Sequence, residues 1–156
     1  MELMPRAEER PTVVLGTTCS DSHTWNLVFL ELLLEEAGYT VVNLGACTPE
    51  PLYVEACLRS HPSFVVVSSV NGHGRSDAEP LIQRIREQAE LRELPVALGG
   101  KLGTSGRLEP EEVRALVNAG FTMVFQDDAR EDRELGRFTA FLSAPEKAVS
   151  RAITAN

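Results

Sequence analysis

The feature that most constrains the fold is an alternation of short, β-branched apolar runs with longer amphipathic stretches along most of the chain. Each run is continuously apolar, as expected when a parallel sheet is covered by helices on both faces. The runs predict five strands, at 12–16, 41–44, 64–68, 96–99 and 123–125. The longer stretches predict five helices, at about 25–37, 49–60, 77–91, 110–119 and 131–142.

Five repeats of strand followed by helix predict one particular architecture. Parallel strands joined by right-handed helical crossovers give a flavodoxin-like, doubly wound α/β fold around a five-stranded parallel sheet. Gly38 and Gly120 each stand between a helix and a strand, where a left-handed C-terminal cap is common. A length of 156 residues without linker or internal repeat predicts one domain, 1–156, with its core at about 11–142 and loosely held polar ends.

The charge balance narrows the classes of partner. Lys and Arg number 15 against 23 Asp and Glu, a formal net charge of -8. Such a field repels phosphate backbones and anionic lipid, so we expect neither nucleic acid nor a membrane as partner. No apolar run reaches the roughly 18 residues of a membrane span. Residues 1–10 carry no apolar signal segment, so we expect a cytoplasmic protein.

The cysteines carry little chemical signal. Cys19, Cys47 and Cys57 are widely spaced, and no two of them form a Cys-x-x-Cys pair. Such a pattern predicts buried, inert thiols in a reducing compartment.

Residues suited to binding gather after the first, third and fourth predicted strands. Ligands of doubly wound folds bind beyond the carboxyl ends of the strands, near the point where strand order reverses. The three loops, 17–24, 68–74 and 99–104, are rich in small and hydroxyl residues, which let backbone approach a large ligand. We therefore expect these loops to form one broad binding surface.

Asp21 and His23 are the pair of residues in these loops that most specifically indicates a chemical role. An imidazole that ligates a metal usually donates its other N–H to a carboxylate, and residues two apart can make that contact directly. The pair alone is also compatible with a capping loop, in which Asp21 or Ser22 caps the helix from Trp25 and His23 is merely exposed. Both interpretations stay open at this level.

The three loops, taken in order, resemble a known family. Asp21-x-His23, Ser68-x-Val70 and Gly99-Gly100 are similar to the Asp-x-His-x-x-Gly, Ser-x-Leu and Gly-Gly pattern of the cobalamin-binding domain in adenosylcobalamin mutases and methionine synthase. The length and the stretches VVNLG, VVVSSVNGHG and ALGGKLG most resemble the small subunit of glutamate mutase (methylaspartate mutase). The resemblance spans about 12–125.

The resemblance implies specific contacts with the cofactor. In this family the dimethylbenzimidazole base leaves the cobalt, a protein histidine replaces it, and the nucleotide tail enters a slot beside the first helix. His23 would be the axial cobalt ligand, Asp21 its hydrogen-bond partner, and Ser68 a partner of the benzimidazole. The implied cofactor-binding residues are Ser20, Asp21, Ser22, His23, Thr24, Ser68, Ser69, Val70, Gly99, Gly100, Lys101, Leu102, Gly103 and Thr104.

The resemblance also implies a division of labour. The cofactor, adenosylcobalamin or another cobalamin, would supply the radical chemistry of a carbon-skeleton isomerase, and no further catalytic residue is expected in this chain. A separate large (β/α)8-barrel subunit would carry the substrate site, so this chain would be inactive alone.

Several positions depart from the family pattern. Asn26 stands where the family has Gly, so its side chain either narrows the slot or hydrogen-bonds the tail. Val70 replaces Leu, and Lys101 follows Gly-Gly where the mutase subunit has Asn. Asp127 and Asp128 replace a small turn and suit a phosphate-bearing tail poorly, unless their side chains point to solvent. These departures bear on cofactor type and affinity more than on fold.

Two other functions remain open. A corrinoid carrier in methyl transfer, or a cobalamin sensor, would use the same His23 without mutase chemistry. A cofactor-free interaction protein would have Trp25 and Asn26 filling the slot.

Other classes with this topology are excluded. A receiver domain needs an aspartate where this chain has Ser68 and Ser69. Neither a P-loop nor a G-x-G-x-x-G fingerprint follows the first strand.

Overall fold

The computed structural model describes residues 9–126 and 131–143. The strands are β1 (Thr12–Thr17), β2 (Thr40–Asn43), β3 (Phe64–Ser69), β4 (Val96–Gly100) and β5 (Met123–Gln126). The helices are α1 (Trp25–Glu36), α2 (Glu50–Ser60), α3 (Gly74–Glu87), α4 (Pro110–Ala119) and α5 (Glu131–Ser143). The ends of the chain, together with Asp127 and Asp128, lie outside the described residues, so the expectations for them stay predictions.

The five strands form one parallel sheet in the order β2-β1-β3-β4-β5. The predicted α/β class with a doubly wound, five-stranded parallel sheet is therefore confirmed. Strand order reverses between β1 and β3, so the crevice at their carboxyl ends is where a ligand of this fold binds. Within the described ranges, no helix is both long and apolar enough to cross a membrane.

Side chains alternate between the two faces of the sheet, and each face has its own core. Val14, Val65 and Leu98 pack with residues of α2, α3 and α4. Val13 and Leu15 pack on the opposite face with residues of α1 and α5. We call the first the packed face and the second the slot face, because a cavity described below lies on it.

α3 differs from its prediction at both ends. It begins at Gly74, three residues before the predicted start at Asp77. A Cβ at Gly74 would lie 2.7 Å from a methyl carbon of Leu102, so only glycine lets this first turn pack closely against the loop after β4. Gln88 has extended backbone and ends the helix, and a short 3-10 turn, Ala89–Leu91, occupies the rest of the predicted span.

The prediction of three buried thiols is wrong for two of them. Cys19 and Cys47 are exposed, since both lie in loops at the carboxyl end of the sheet. Cys57 lies in α2 on the packed face, where burial raises the pKa of its thiol to about 12.

α1 has apolar side chains that are exposed to solvent. Trp25, Val28, Phe29 and Leu32 are all more than half exposed.

Candidate cofactor-binding site

The loops after β1, β3 and β4 meet at the point where strand order reverses. The backbone N–H of Thr18 donates to the carbonyl of Ser68 over 3.1 Å, joining the first loop to the end of β3. The N–H of Gly72 donates to the carbonyl of Lys101 over 3.2 Å, joining the second loop to the third. The continuous surface expected from the sequence is present.

Asp21 lies at the centre of this surface and is 1% exposed. Its Oδ1 accepts hydrogen bonds from the backbone N–H of His23 at 2.9 Å and from the imidazole Nδ1 at 2.8 Å. Its Oδ2 accepts the backbone N–H of Val70 at 2.5 Å. One buried carboxylate therefore orients the histidine and also ties the loop after β1 to the loop after β3.

The electrostatics of this pair suit a ligating imidazole. Burial disfavours the charged form of Asp21, but the N–H groups of Val70 and His23 and the imidazole itself hold the pKa of the carboxyl below its usual range. An ionised Asp21 keeps the proton of His23 on Nδ1, which leaves the Nε2 lone pair for a metal. The His23 side chain is 46% exposed, so a ligand can reach it.

The alternative role of Asp21 or Ser22 as a helix cap finds no support in the geometry. The N-cap residue of α1 is Thr24, and no side-chain hydrogen bond caps the helix. The Asp21 carboxylate accepts its hydrogen bonds from His23 and Val70 instead.

A cavity of about 620 Å³ opens beside His23, between the sheet, α1 and α5. Its volume lies within the range of about 300–1,000 Å³ that is typical of small-molecule sites. Most of its wall is apolar, with polar groups near the mouth. The lining residues are His23, Trp25, Asn26, Phe29, Leu30, Val66, Val67, Ser68, Val70, Ala97, Gly99, Gly100, Lys101, Phe125, Gln126 and Phe138.

The slot exists because small residues project from β3 and β4 onto this face. Ser68 and Gly99 are aligned across the two strands, and Ala97 lies two residues before Gly99 on the same face. A Cβ at Gly99 would meet Phe125 at an ordinary 3.5 Å. The space is therefore left by missing side-chain volume and could be filled by substitution.

Gly100 is required for its backbone conformation, unlike Gly99. Its φ is +124°, a conformation that L side chains rarely adopt, and an added Cβ would overlap the carbonyl oxygen of Ser69. Gly99 thus leaves space in the cavity, whereas Gly100 is required by the backbone, although the resemblance implied that both bind the cofactor.

The other residues predicted at the site lie around its rim or beneath it. The Ser20 hydroxyl donates to the Asp77 carboxylate and accepts from the Asn71 amide at 2.9 Å. Ser69 and Leu102 are turned away, Ser69 hydrogen-bonded to Thr18 and Leu102 buried in the core of the packed face. The remaining predicted residues, Ser22, Thr24, Gly103 and Thr104, lie in the loops flanking the surface, with all but Gly103 exposed.

Sequence reasoning missed most of the apolar wall. Phe29 and Leu30 come from α1, Phe125 from β5 and Phe138 from α5. The strand alternation that places Ser68 and Gly99 on one face also places Val66 and Ala97 there, so part of the wall was within reach. The contribution of α5 depends on helix packing across the sheet, which periodicity does not encode.

The metal-binding side chains of this site suit a metal that is already coordinated by other ligands. Among the described residues, no group of three or more His, Cys, Asp or Glu side chains could hold a metal ion. A single oriented imidazole can occupy one axial position of a metal whose other positions are already filled. The apolar slot beside it suits a planar, largely apolar group.

The fold and this geometry together define a class: α/β domains that hold a large cofactor at the switch point of the sheet. The B12 binding domain model matches residues 11–132. The chain therefore belongs to the B12 binding domain family, and the family expected from the three loop motifs is confirmed.

Sequence relatives narrow the comparison. The chain is 38% identical over 132 residues to glutamate mutase sigma subunit 1 of Haloarcula marismortui, covering 84% of this chain and 81% of that protein. It is 28% identical over 114 residues to the glutamate mutase sigma subunit of Fusobacterium nucleatum, covering 73% of this chain and 83% of that protein.

Solved structures agree on the fold. A cobalamin-binding protein from Desulfitobacterium hafniense superposes with a TM-score of 0.62 at 19% identity, covering 75% of this chain and 53% of that one. The methanol:cobalamin methyltransferase complex of Methanosarcina barkeri gives 0.61 at 19% identity, covering 85% and 46%. This chain thus spans about half the length of each. A response regulator from Chloroflexus aurantiacus gives 0.59 at 18% identity, covering 86% and 99%, so the fold alone does not separate these classes.

Proposed function

We propose that this chain is the cobalamin-binding small subunit of an adenosylcobalamin-dependent carbon-skeleton mutase resembling glutamate mutase. It binds the corrinoid in the base-off form, with His23 as the lower ligand of cobalt. The observation that carries this proposal is the buried Asp21 carboxylate, which holds Nδ1 of His23 at 2.8 Å beside an apolar slot. The sigma subunits similar to this chain support the mutase assignment.

The residues of the site divide between the corrin and its tail. His23 offers Nε2 to the cobalt, and Asp21 fixes the tautomer and the ring orientation. Ser68 and Gly99, aligned across β3 and β4, receive the nucleotide base in the slot. Ser20, Ser22, Thr24, Gly103 and Thr104 would flank the corrin edge. Lys101 lines the slot, where it would meet the phosphate of the tail.

The chain's contribution to the reaction is binding and orientation. When bound, adenosylcobalamin would supply the radical chemistry of the isomerisation. The slot wall excludes water from the buried tail, and the Asp21–His23 pair holds the lower face of the corrin at the rim of the sheet.

The upper face of the corrin calls for a partner, which we propose is a large (β/α)8-barrel subunit. The loops 17–24, 68–74 and 99–109 connect strands to helices and are short, so they cover one side of a planar ligand. The rim at 71–75 and 101–107 is the surface proposed to contact the partner. In it, His73 and most residues of 101–107 are exposed. The substrate would then bind on the barrel subunit.

An open slot weighs against the cofactor-free alternative. Trp25 lines the cavity but is 68% exposed, so its side chain does not fill the cavity. A carrier or sensor would use the same His23, and only the partner and the reaction separate these functions from a mutase subunit.

Electron paramagnetic resonance of the cob(II)alamin complex tests the ligation. With ¹⁵N-labelled histidine in the protein, the unmodified chain should show the two-line hyperfine splitting of a ¹⁵N ligand, and His23→Ala should lose it, because dimethylbenzimidazole carries only ¹⁴N. His61→Asn is the matched control, because His61 follows α2 at the opposite end of the sheet and has a φ of +48°, which asparagine tolerates. Hyperfine structure unchanged in His23→Ala would overturn the assignment.

Sedimentation of the chain with the candidate large subunit tests the partnership. A cofactor held between two proteins promotes their association by linkage, so adding adenosylcobalamin should tighten the complex. Association with equal affinity in the presence and absence of the cofactor would contradict the proposal. Turnover by the isolated chain would also contradict it.

A further inference from the structure

Asn26 holds an unsatisfied polar atom in the wall of the slot. The residue lies in the first turn of α1 and is 7% exposed. Its Oδ1 is buried and has no hydrogen-bond partner in the part of the chain that the structure describes. Asn26 is also one of the residues lining the cavity beside His23.

A buried acceptor without a partner lowers the stability of a protein, and buried polar atoms are therefore nearly always paired. No other side-chain nitrogen or oxygen among the described residues is left in this state. Phe29, Leu30 and Phe138, which line the same cavity, have no hydrogen-bond donor in their side chains. A donor brought by the ligand would complete the site.

We propose that Oδ1 of Asn26 accepts a hydrogen bond from a ribose hydroxyl of the corrinoid's nucleotide tail. This inference rests on the proposed function and assigns Asn26 as a specificity residue for corrinoids that carry a complete nucleotide. The tail's phosphodiester offers only acceptors, and dimethylbenzimidazole has no N–H. The ribose hydroxyls are thus the donors present in the nucleotide and absent from truncated corrinoids.

The alternative is that the side chain of Asn26 merely narrows the slot. The two roles predict opposite responses to truncation. Asn26→Ala removes the acceptor and also widens the slot, so it should weaken tail binding if the amide pairs with the tail and strengthen it if the side chain is an obstruction.

Equilibrium titration monitored by absorbance should compare cobalamin with cobinamide, which lacks the nucleotide. Asn26→Ala should lower cobalamin affinity about tenfold, the usual consequence of leaving one buried partner unpaired, and leave cobinamide affinity unchanged. Asn118→Ala, the same substitution at an exposed position of α4, should change neither. Equal effects on both ligands, or tighter cobalamin binding, would overturn the inference.

Thermal melting of the ligand-free protein gives a second readout. Because the amide acceptor is unpaired there, Asn26→Ala should not lower the melting temperature. A clear fall would show that the amide already has a structural partner and would overturn the inference. Asn26→Leu, which keeps the side-chain size, should raise the melting temperature and weaken cobalamin binding.

A corrinoid with adenine as its base separates the ribose from the base. Both corrinoids carry the ribose, so Asn26→Ala should weaken them equally. A loss confined to the adenine form would assign the hydrogen bond to the base amine and reject the ribose. Failure of the unmodified chain to bind any corrinoid would instead reject the proposed function itself.

Discussion

Near the carboxyl ends of the strands, the two faces of the sheet are packed differently. Thr17, Ser68 and Gly99 are aligned across β1, β3 and β4. On the packed face, Tyr53 fills the space beside this level, and its hydroxyl donates to the carbonyl of Thr17 over 2.7 Å. On the slot face, the small residues leave a cavity of about 620 Å³.

The difference shows that side-chain volume decides which face of the sheet has the cavity. Both faces share the same strands and the same reversal of strand order. A Cβ at Gly16 would lie 2.5 Å from the Tyr53 hydroxyl oxygen, so the packed face has no spare room even beside a glycine. The slot face has room at Gly99, where the nearest atoms would be 3.5 Å away. The proposed binding site is thus a region where the core is incompletely filled.

The largest expected effect is on the stability of the packed face. Leu98 is fully buried there, and Leu98→Ala should lower the free energy of unfolding by about 2–5 kcal/mol because it leaves a cavity. Leu32→Ala is the control, since Leu32 is 57% exposed on α1 and its loss should cost within about 0.5 kcal/mol. Urea unfolding measures both, and similar costs would remove the distinction between the faces.

Filling the slot should weaken the binding of cobalamin while leaving the fold intact. Gly99→Leu places a side chain in the cavity, and cobalamin affinity should fall by about 100-fold, with cobinamide affinity retained. Gly136→Leu, at an exposed position of α5 with open space around it, is the matched control. Equal loss of both corrinoids in Gly99→Leu would indicate a structural role only. Gly100 is unsuitable for this test because any Cβ there distorts the backbone.

Asp21→Asn should weaken cobalamin binding by about 10- to 100-fold, as is usual when the partner of a metal-ligating histidine is changed. An amide retains one acceptor, so it cannot serve Val70 and both N–H groups of His23 as the carboxylate does. The nitrogen hyperfine splitting should persist, because His23 itself remains. Glu111→Gln removes the same charge from an exposed position of α4 and should have no effect. An Asp21→Asn protein that binds like the parent would argue against the orienting role.

The smallest expected effect is at the outer wall of the slot. Phe29 is 52% exposed, so Phe29→Ala should lower the free energy of unfolding by only about 1 kcal/mol. The same variant should weaken cobalamin binding by about threefold, because the tail loses one apolar contact. Phe121→Ala on the packed face should instead cost about 3–5 kcal/mol. Calorimetry of both variants checks the contrast, which equal losses of stability would erase.

Local pattern was enough to predict all five strands and the class of the sheet. β1 and β3 each extend one residue beyond their predicted ends, to Thr17 and Ser69, because hydroxyl residues continue the ladder where apolar ones stop. The start of α3 was not predictable in this way. It depends on the close approach of Gly74 to Leu102, which is 28 positions along the chain.

The candidate site, too, was only partly predictable from the sequence. Motif spacing was enough to bring Asp21 and His23 together, because residues two apart in a loop can make the contact wherever the loop lies. The bond from Val70 to Asp21 was not foreseen, since it joins loops that only the order of β1 and β3 makes neighbours. The resemblance to a family of cobalamin-binding domains located the slot, but not the aromatic residues that line it.

The sequence by itself determined the elements, the parallel sheet, the pair at Asp21 and His23, and the departure at Asn26, because each depends on residue type and short spacing. Only the tertiary structure decided that Gly99 makes room while Gly100 serves the backbone, that two of the three thiols are exposed, and that Oδ1 of Asn26 is buried without a partner. These outcomes depend on which distant side chains come to lie beside each residue. Packing between elements sets those neighbours, and no short segment of the chain encodes them.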